Sequence, residues 1–159
     1  MGWWIFSVPG PPVPWRRAGR NKTTGVSYTH PKCGAAKTAL LWCARQARIP
    51  MRSLPDAFFL TVRVWIPRPK VAHPDLPVKQ RTGDVDNYSK LVMDAMNEVV
   101  FRDDAQIVGL LVLKDWADVD CPPGTEVGLT AVSALSWRAL MRRKLGSCLL
   151  AIARGKLSD

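Results

Sequence analysis

The plainest pattern along the chain lies at residues 57–66, where Phe58, Leu60, Val62, Val64 and Ile66 alternate with Phe59, Thr61, Arg63 and Trp65. That period of two predicts a strand with one face on a core. Trp3 to Val8 reads as an earlier strand, stopped by the turn Pro9-Gly10-Pro11-Pro12. Two later strands are expected, Ala105 to Lys114 and Gly124 to Val132, the last alternating through Val127, Leu129 and Ala131. Elsewhere the apolar spacing becomes helical. Pro31 suits a first turn, and Lys37 to Ala47 continues with Ala36, Leu40, Cys43, Ala44 and Ala47 along one side, ending at Ile49-Pro50. From Asp86 to near Val100, Leu91, Val92, Ala95, Met96 and Val99 form a second apolar stripe. Ser136 to Arg154 carries helical periodicity with Arg138, Arg142, Arg143 and Lys144, interrupted by Gly146. These elements predict an α+β fold: one mixed sheet of about four strands, two main helices, a domain over residues 1–135 and a basic helical extension over 136–159.

Charge changes the picture more than length does. A chain of 159 residues fits one domain, and its net charge is +10. Six of the 13 acids fall within residues 81–104 alongside only three of the 23 bases, so an acidic pocket sits in a strongly basic body. A basic body attracts a polyanion by counterion release, and an acidic pocket within it recruits a cation. Cys33, Cys43, Cys121 and Cys148 lack C-x-x-C spacing and read as reduced, structural thiols. His30 and His73 are too isolated to suggest zinc. The opening MGWWIFSVPGPP lacks the basic start and apolar run of a secretory signal, and Leu145 to Ala153 is too short to span a bilayer. The expectation is a soluble, cytoplasmic protein.

The candidate chemistry lies in GDVDNYSKLVMDAMNEVVFRDDAQ, residues 83–106. Asp84 and Asp86 fall at the start of the second helix, and Lys90 and Asp94 follow Asp86 at i+4 and i+8 on one polar stripe. Arg102, Asp103 and Asp104 form a polar turn before the next strand, which is expected to carry Asp104 back beside the helix start in a compact hairpin-like unit. Clustered carboxylates repel unless a cation lies among them, and a hard divalent ion such as Mg²⁺ takes carboxylate, water and phosphate oxygens. That set suits phosphodiester hydrolysis, with Lys90 stabilising transition-state charge or activating the water. Residue by residue, plainer readings exist: Asp86 as a helix cap, Asp103-Asp104 as turn residues, and Asp94 with Lys90 as a solvated ion pair.

The whole string, GDVDNYSKLVMDAMNEVVFRDDAQIV with Lys114 after it, resembles the core motif of the RusA family of Holliday-junction resolvases. Over about residues 3–132 the resemblance implies a small homodimeric, Mg²⁺-dependent endonuclease, with Mn²⁺ as a substitute ion, that nicks opposed strands of four-way DNA junctions. It implies Asp84, Asp86 and Asp104 as metal ligands and Lys90 as the catalytic lysine. Asn87 and Asp94 match as supports, and Asp103 competes with Asp104 to turn inward.

The basic segments supply the expected DNA contacts. Arg16, Arg17, Arg20 and Lys22 lie in a loop over Pro14 to Tyr28 whose Trp15 and Tyr28 suit base stacking. Lys79 and Arg81 lie in a proline-punctuated connection leading to Asp84, and Lys114 joins them as a phosphate contact. Two other functions fit the same features: a nuclease for other branched DNA, such as phage or replication intermediates, and a basic DNA-binding protein that cuts nothing.

Overall fold

The computed structural model describes residues 3–49, 57–70, 75–78 and 82–142. In chain order these form β1 (Trp4–Pro9), the short strands β2 (Gly19–Arg20) and β3 (Ser27–Tyr28), α1 (Pro31–Gln46), β4 (Ala57–Ile66), α2 (Val85–Met96), a 3-10 turn (Asp104–Gln106), β5 (Ile107–Trp116), β6 (Gly124–Val132) and α3 (Ala134–Met141). The main sheet has the order β1-β6-β4-β5. β6 is antiparallel to both β1 and β4, whereas β4 and β5 run parallel, which makes this a mixed sheet in an α+β fold.

β4 is central because both of its faces are apolar, and each finds a core. Its Phe58, Leu60, Val62, Val64 and Ile66 face α1 and α2 and pack with Cys33, Leu40 and Ala44 of α1, Leu91, Val92, Ala95 and Met96 of α2, and Val127 and Leu129 of β6. Burying each of these larger side chains contributes about 1.5–3 kcal/mol. Phe59, on the opposite face, joins Val132 and Leu140 in a smaller cluster covered by Trp3, Leu111 and Trp137. α3 therefore lies against the sheet face that α1 and α2 leave open. Gly109 permits that approach, since a Cβ there would overlap the Phe59 ring and Trp137.

The parallel pairing of β4 and β5 corrects the hairpin-like unit expected from sequence. A parallel neighbour requires a crossover that returns the chain to the starting end of the first strand. α2 and residues 97–103 make that return, so β5 starts beside Phe58 and ends beside Ile66. α2 also stops at Met96 rather than near Val100. Asn97 is extended and Glu98 adopts a positive φ of 63°, which turns the chain and lets Val100 and Phe101 plug the core. The loop expected over Pro14 to Tyr28 contains an ordered ribbon, β2 with β3, closed by Asn21, whose Oδ1 accepts from the amides of Thr23 and Thr24. The last helix begins at Ala134, with the Ser133 hydroxyl accepting from Ser136 N–H, and the rest of the expected basic extension lies outside the described residues. No helix among the described residues is long and apolar enough to cross a membrane.

Candidate active site

Asp84 is the residue at which α2 begins, with extended backbone (φ −88°, ψ 150°), yet its side chain makes no capping hydrogen bond. Asp86 lies in the first turn, and both residues are exposed. Their carboxylates are thus uncommitted among the described residues, and the adjacent helix N-terminus favours negative charge. What fixes them is the segment just before. Gly83 has φ +75°, and a Cβ there would press on Pro14 and the Tyr88 hydroxyl, so only glycine fits without strain. Lys114 Nζ, from the end of β5, donates to Gly83 O at 2.7 Å and to Thr82 Oγ1 at 3.3 Å. Thr82 Oγ1 donates in turn to Pro77 O at 2.8 Å, and the Tyr88 hydroxyl donates to Thr82 O.

Lys114 is therefore a brace rather than the free phosphate contact expected from sequence. It is half-buried and commits at least two donors to the chain entering Asp84. Lys114→Met keeps the stem and removes those bonds. It is expected to lower the unfolding free energy by ~1–2 kcal/mol in urea titrations.

Tyr88 is buried, and desolvation pushes its phenol from the ordinary 10.0 up to about 12. The folded state thus holds the neutral phenol. That stabilisation is complete below the unfolded value near 10.0 and is lost as pH rises through about 12. Tyr88→Phe is expected to cost ~1 kcal/mol at neutral pH and to flatten the loss of urea stability over the alkaline range.

The other acidic pair occupies the opposite end of the unit. Asp103 is structural: its Oδ1 accepts from the amide of Ala105 at 2.8 Å, and Gln106 Oε1 accepts from the amides of Arg102 and Asp103 in a reciprocal capping box. That box leaves Asp104 exposed, its carboxylate without a partner among the described residues. Because β4 and β5 are parallel, Asp104 sits where β5 begins, while Asp84 and Asp86 sit where β5 ends. The rise of α2 at about 1.5 Å per residue and of β5 at about 3.3 Å per residue separates the two ends by on the order of 20 Å. One chain brings Asp84, Asp86 and Lys90 together at one end of α2, and it does not bring Asp104 to them. Consistent with this, no group of three or more acidic, His or Cys side chains able to hold a metal occurs among the described residues. Asp84 and Asp86 by themselves still fit Mg²⁺, which one or two carboxylates, waters and substrate phosphate can hold.

The remaining expected residues divide clearly. Asp94 does not pair with Lys90: its Oδ2 meets Lys37 Nζ of α1 at 3.1 Å, with both side chains about 30% exposed (30% and 28%), so it ties the two helices together. The reason is packing, since α1 lies beside α2 and offers a nearer cation. Asn87 contributes through its backbone carbonyl, which accepts from Trp15 N–H at 2.8 Å. The Trp15 ring lies over Lys90, with Nζ 4.8 Å from the ring centre. Arg16, Arg17, Arg20 and Lys22 are all exposed on or before the β2–β3 ribbon, and Arg20 Nε donates to Gly25 O at 3.0 Å within it. Lys79 and Arg81 lie outside the described residues. No motif in the sequence announced the Lys114 brace, the Lys37–Asp94 tie or the Trp15–Lys90 contact, because each joins residues far apart in the chain.

Comparison with known proteins bears on this arrangement. A stretch of 85 residues is 34% identical to the uncharacterized protein YqaN of Bacillus subtilis (strain 168), covering 47% of this chain and 58% of that protein, so the match spans little more than half of that relative. The family model for endodeoxyribonuclease RusA matches residues 9–130, which begin at the last residue of β1 and include the ribbon, both helices of the main core, β4, the acidic segments, β5 and most of β6. With Asp84, Asp86, Lys90 and Asp104 all inside a match over most of its length, the chain belongs to the RusA endodeoxyribonuclease family.

Proposed function

We propose that this protein is a Mg²⁺-dependent, structure-selective endodeoxyribonuclease that resolves four-way DNA junctions as a homodimer, each active site being shared between two copies. The observation that carries the reading is the placement of uncommitted carboxylates at the two ends of one edge strand. β5 is an outer strand of the main sheet with no further strand beyond it among the described residues. It is ten residues long and exposes Val108 (39%), Leu110 (42%) and Leu113 (50%). A long, apolar, unpaired edge is a template for another strand. A two-fold axis normal to the sheet at Val112 would pair β5 antiparallel with itself, setting Leu110 opposite Lys114 of the second copy and Leu111 opposite Leu113 of that copy. Lys114 already grips Gly83, so Asp104 of one copy would arrive beside Asp84 and Asp86 of the other. Two such sites, related by the two-fold, suit two opposed strands of a symmetric junction.

In each site Asp84, Asp86 and the second copy's Asp104 would hold the metal, which when bound supplies charge neutralisation at the scissile phosphate and a more acidic water. Lys90, one turn into α2, would meet the phosphate and stabilise the negative charge that builds there. Arg16, Arg17 and the β2–β3 ribbon carry positive charge next to this end of α2, through the Trp15 amide bound to Asn87, and would hold flanking phosphates.

The test uses end-labelled four-way, three-way and linear duplexes incubated with the protein in Mg²⁺ and in EDTA. Paired nicks at opposed positions of the four-way junction, abolished by EDTA, are the expected result. Cutting confined to other branched forms would replace the substrate, and junction binding without any cut would overturn the nuclease reading.

A further inference from the structure

We infer that Trp15 is a positioning residue for Lys90, and that it links the basic DNA-contacting arm to the chemistry of the site. This rests on the reading of Lys90 as the group that meets the scissile phosphate. Lys90 projects from the exposed stripe of α2 and has no carboxylate within ion-pair distance among the described residues. Its neighbour is instead the face of the Trp15 indole, 4.8 Å from Nζ. A lysine left free would distribute over many rotamers, and an aromatic face that attracts the ammonium narrows that distribution without neutralising its charge. A carboxylate in the same place would hold it as firmly but would also screen it from phosphate.

The platform itself is fixed from several directions. The Trp15 amide donates to Asn87 O at 2.8 Å, one turn of α2 before Lys90, so ring and lysine share one rigid support. The ring is half-buried and packs against the main core. Pro14, immediately before it, accepts from Cys33 Sγ of α1 at 3.7 Å and closes on Gly83, the residue next to Asp84. Arg16 and Arg17 follow Trp15 directly and are exposed. Phosphate held by these arginines would therefore be held by the same short segment that orients Lys90 and abuts the approach to Asp84.

The experiment compares wild type with Trp15→Leu and Trp15→Phe by three measurements. Carbon-proton NMR of the lysine side chains should show one Hε resonance shifted upfield by the indole in wild type, returned toward the ordinary position in Trp15→Leu and identified as Lys90 by its absence in Lys90→Ala. Single-turnover cleavage should fall about threefold to thirtyfold in Trp15→Leu even at a saturating concentration of four-way junction, and recover largely in Trp15→Phe, which keeps a π face. Urea midpoints would confirm that both variants are folded under assay conditions. The inference is overturned if no lysine resonance depends on Trp15, if Trp15→Phe cleaves as slowly as Trp15→Leu, or if the whole effect lies in affinity. The resonance shift reads the contact without cleavage, so absence of cutting by wild type would sink the nuclease reading while the NMR still judged the contact.

Discussion

An equimolar mixture of Asp84→Asn and Asp104→Asn chains is expected to nick four-way junctions in Mg²⁺, although each variant alone is expected to lose at least about a hundredfold in rate. In a mixed dimer one site would carry both substitutions and the other neither. Random pairing would place an intact site in half of the dimers, leaving roughly a quarter of the wild-type number of sites and making single nicks rather than paired ones. The result discriminates sharply, because a site built within one chain would be broken in every copy. Gel-resolved nicking by the mixture and by each variant alone makes the measurement. Junction affinity should be unchanged or tighter in both, since each substitution removes a negative charge facing phosphate. A mixture as inactive as its components, with both still binding, would refute the shared site and require Asp104 to act elsewhere.

The second large effect concerns the edge of the sheet. If β5 forms the proposed dimer interface, Leu110→Lys with Leu113→Lys is expected to give a folded monomer in analytical ultracentrifugation and to abolish cleavage. Leu110 and Leu113 are already 42% and 50% exposed in the single chain, so charge there costs the monomer little. In a β5-to-β5 interface each would be covered, and the two-fold repeats every loss. Taking ~1–2 kcal/mol for each leucine that is no longer buried, the dimer would weaken by roughly 4–8 kcal/mol, about a thousandfold or more in dissociation constant. Dimers that persist in the double variant would place the interface on another surface.

Much of the fold was written in local periodicity. β4 and β6 fall where their alternation predicts, and the N-terminal strand lies within a residue of expectation, because each strand buries a face and period two cannot be satisfied another way. Strand direction was not legible. The same string of apolar positions from Ile107 onward serves a hairpin or a crossover, and the choice is made by α2 lying across the sheet. Since a hairpin would join Asp104 to Asp84 within one chain and a crossover separates them, strand direction alone decides which carboxylates one chain can bring together. The identity of the site's acidic residues was easier, for D-x-D-N-x-x-K and D-D-A-Q stand out as strings. Which member of Asp103-Asp104 is free was not, and the answer came from Gln106, whose side chain closes the cap on Asp103. The roles of Lys114 and Lys37 depended on distant partners, Gly83 and Asp94, that no spacing rule connects.

The crossover has one more consequence. If the two ends of α2 serve two different cutting centres, the gap between paired incisions is gauged by rigid backbone, a helix of 12 residues alongside a strand of ten. Deleting one residue within α2 would rotate everything beyond it by about 100° and shorten it by about 1.5 Å. Such a deletion would throw the two incisions out of step with the DNA, whereas the same deletion in the β2–β3 ribbon would leave their spacing untouched.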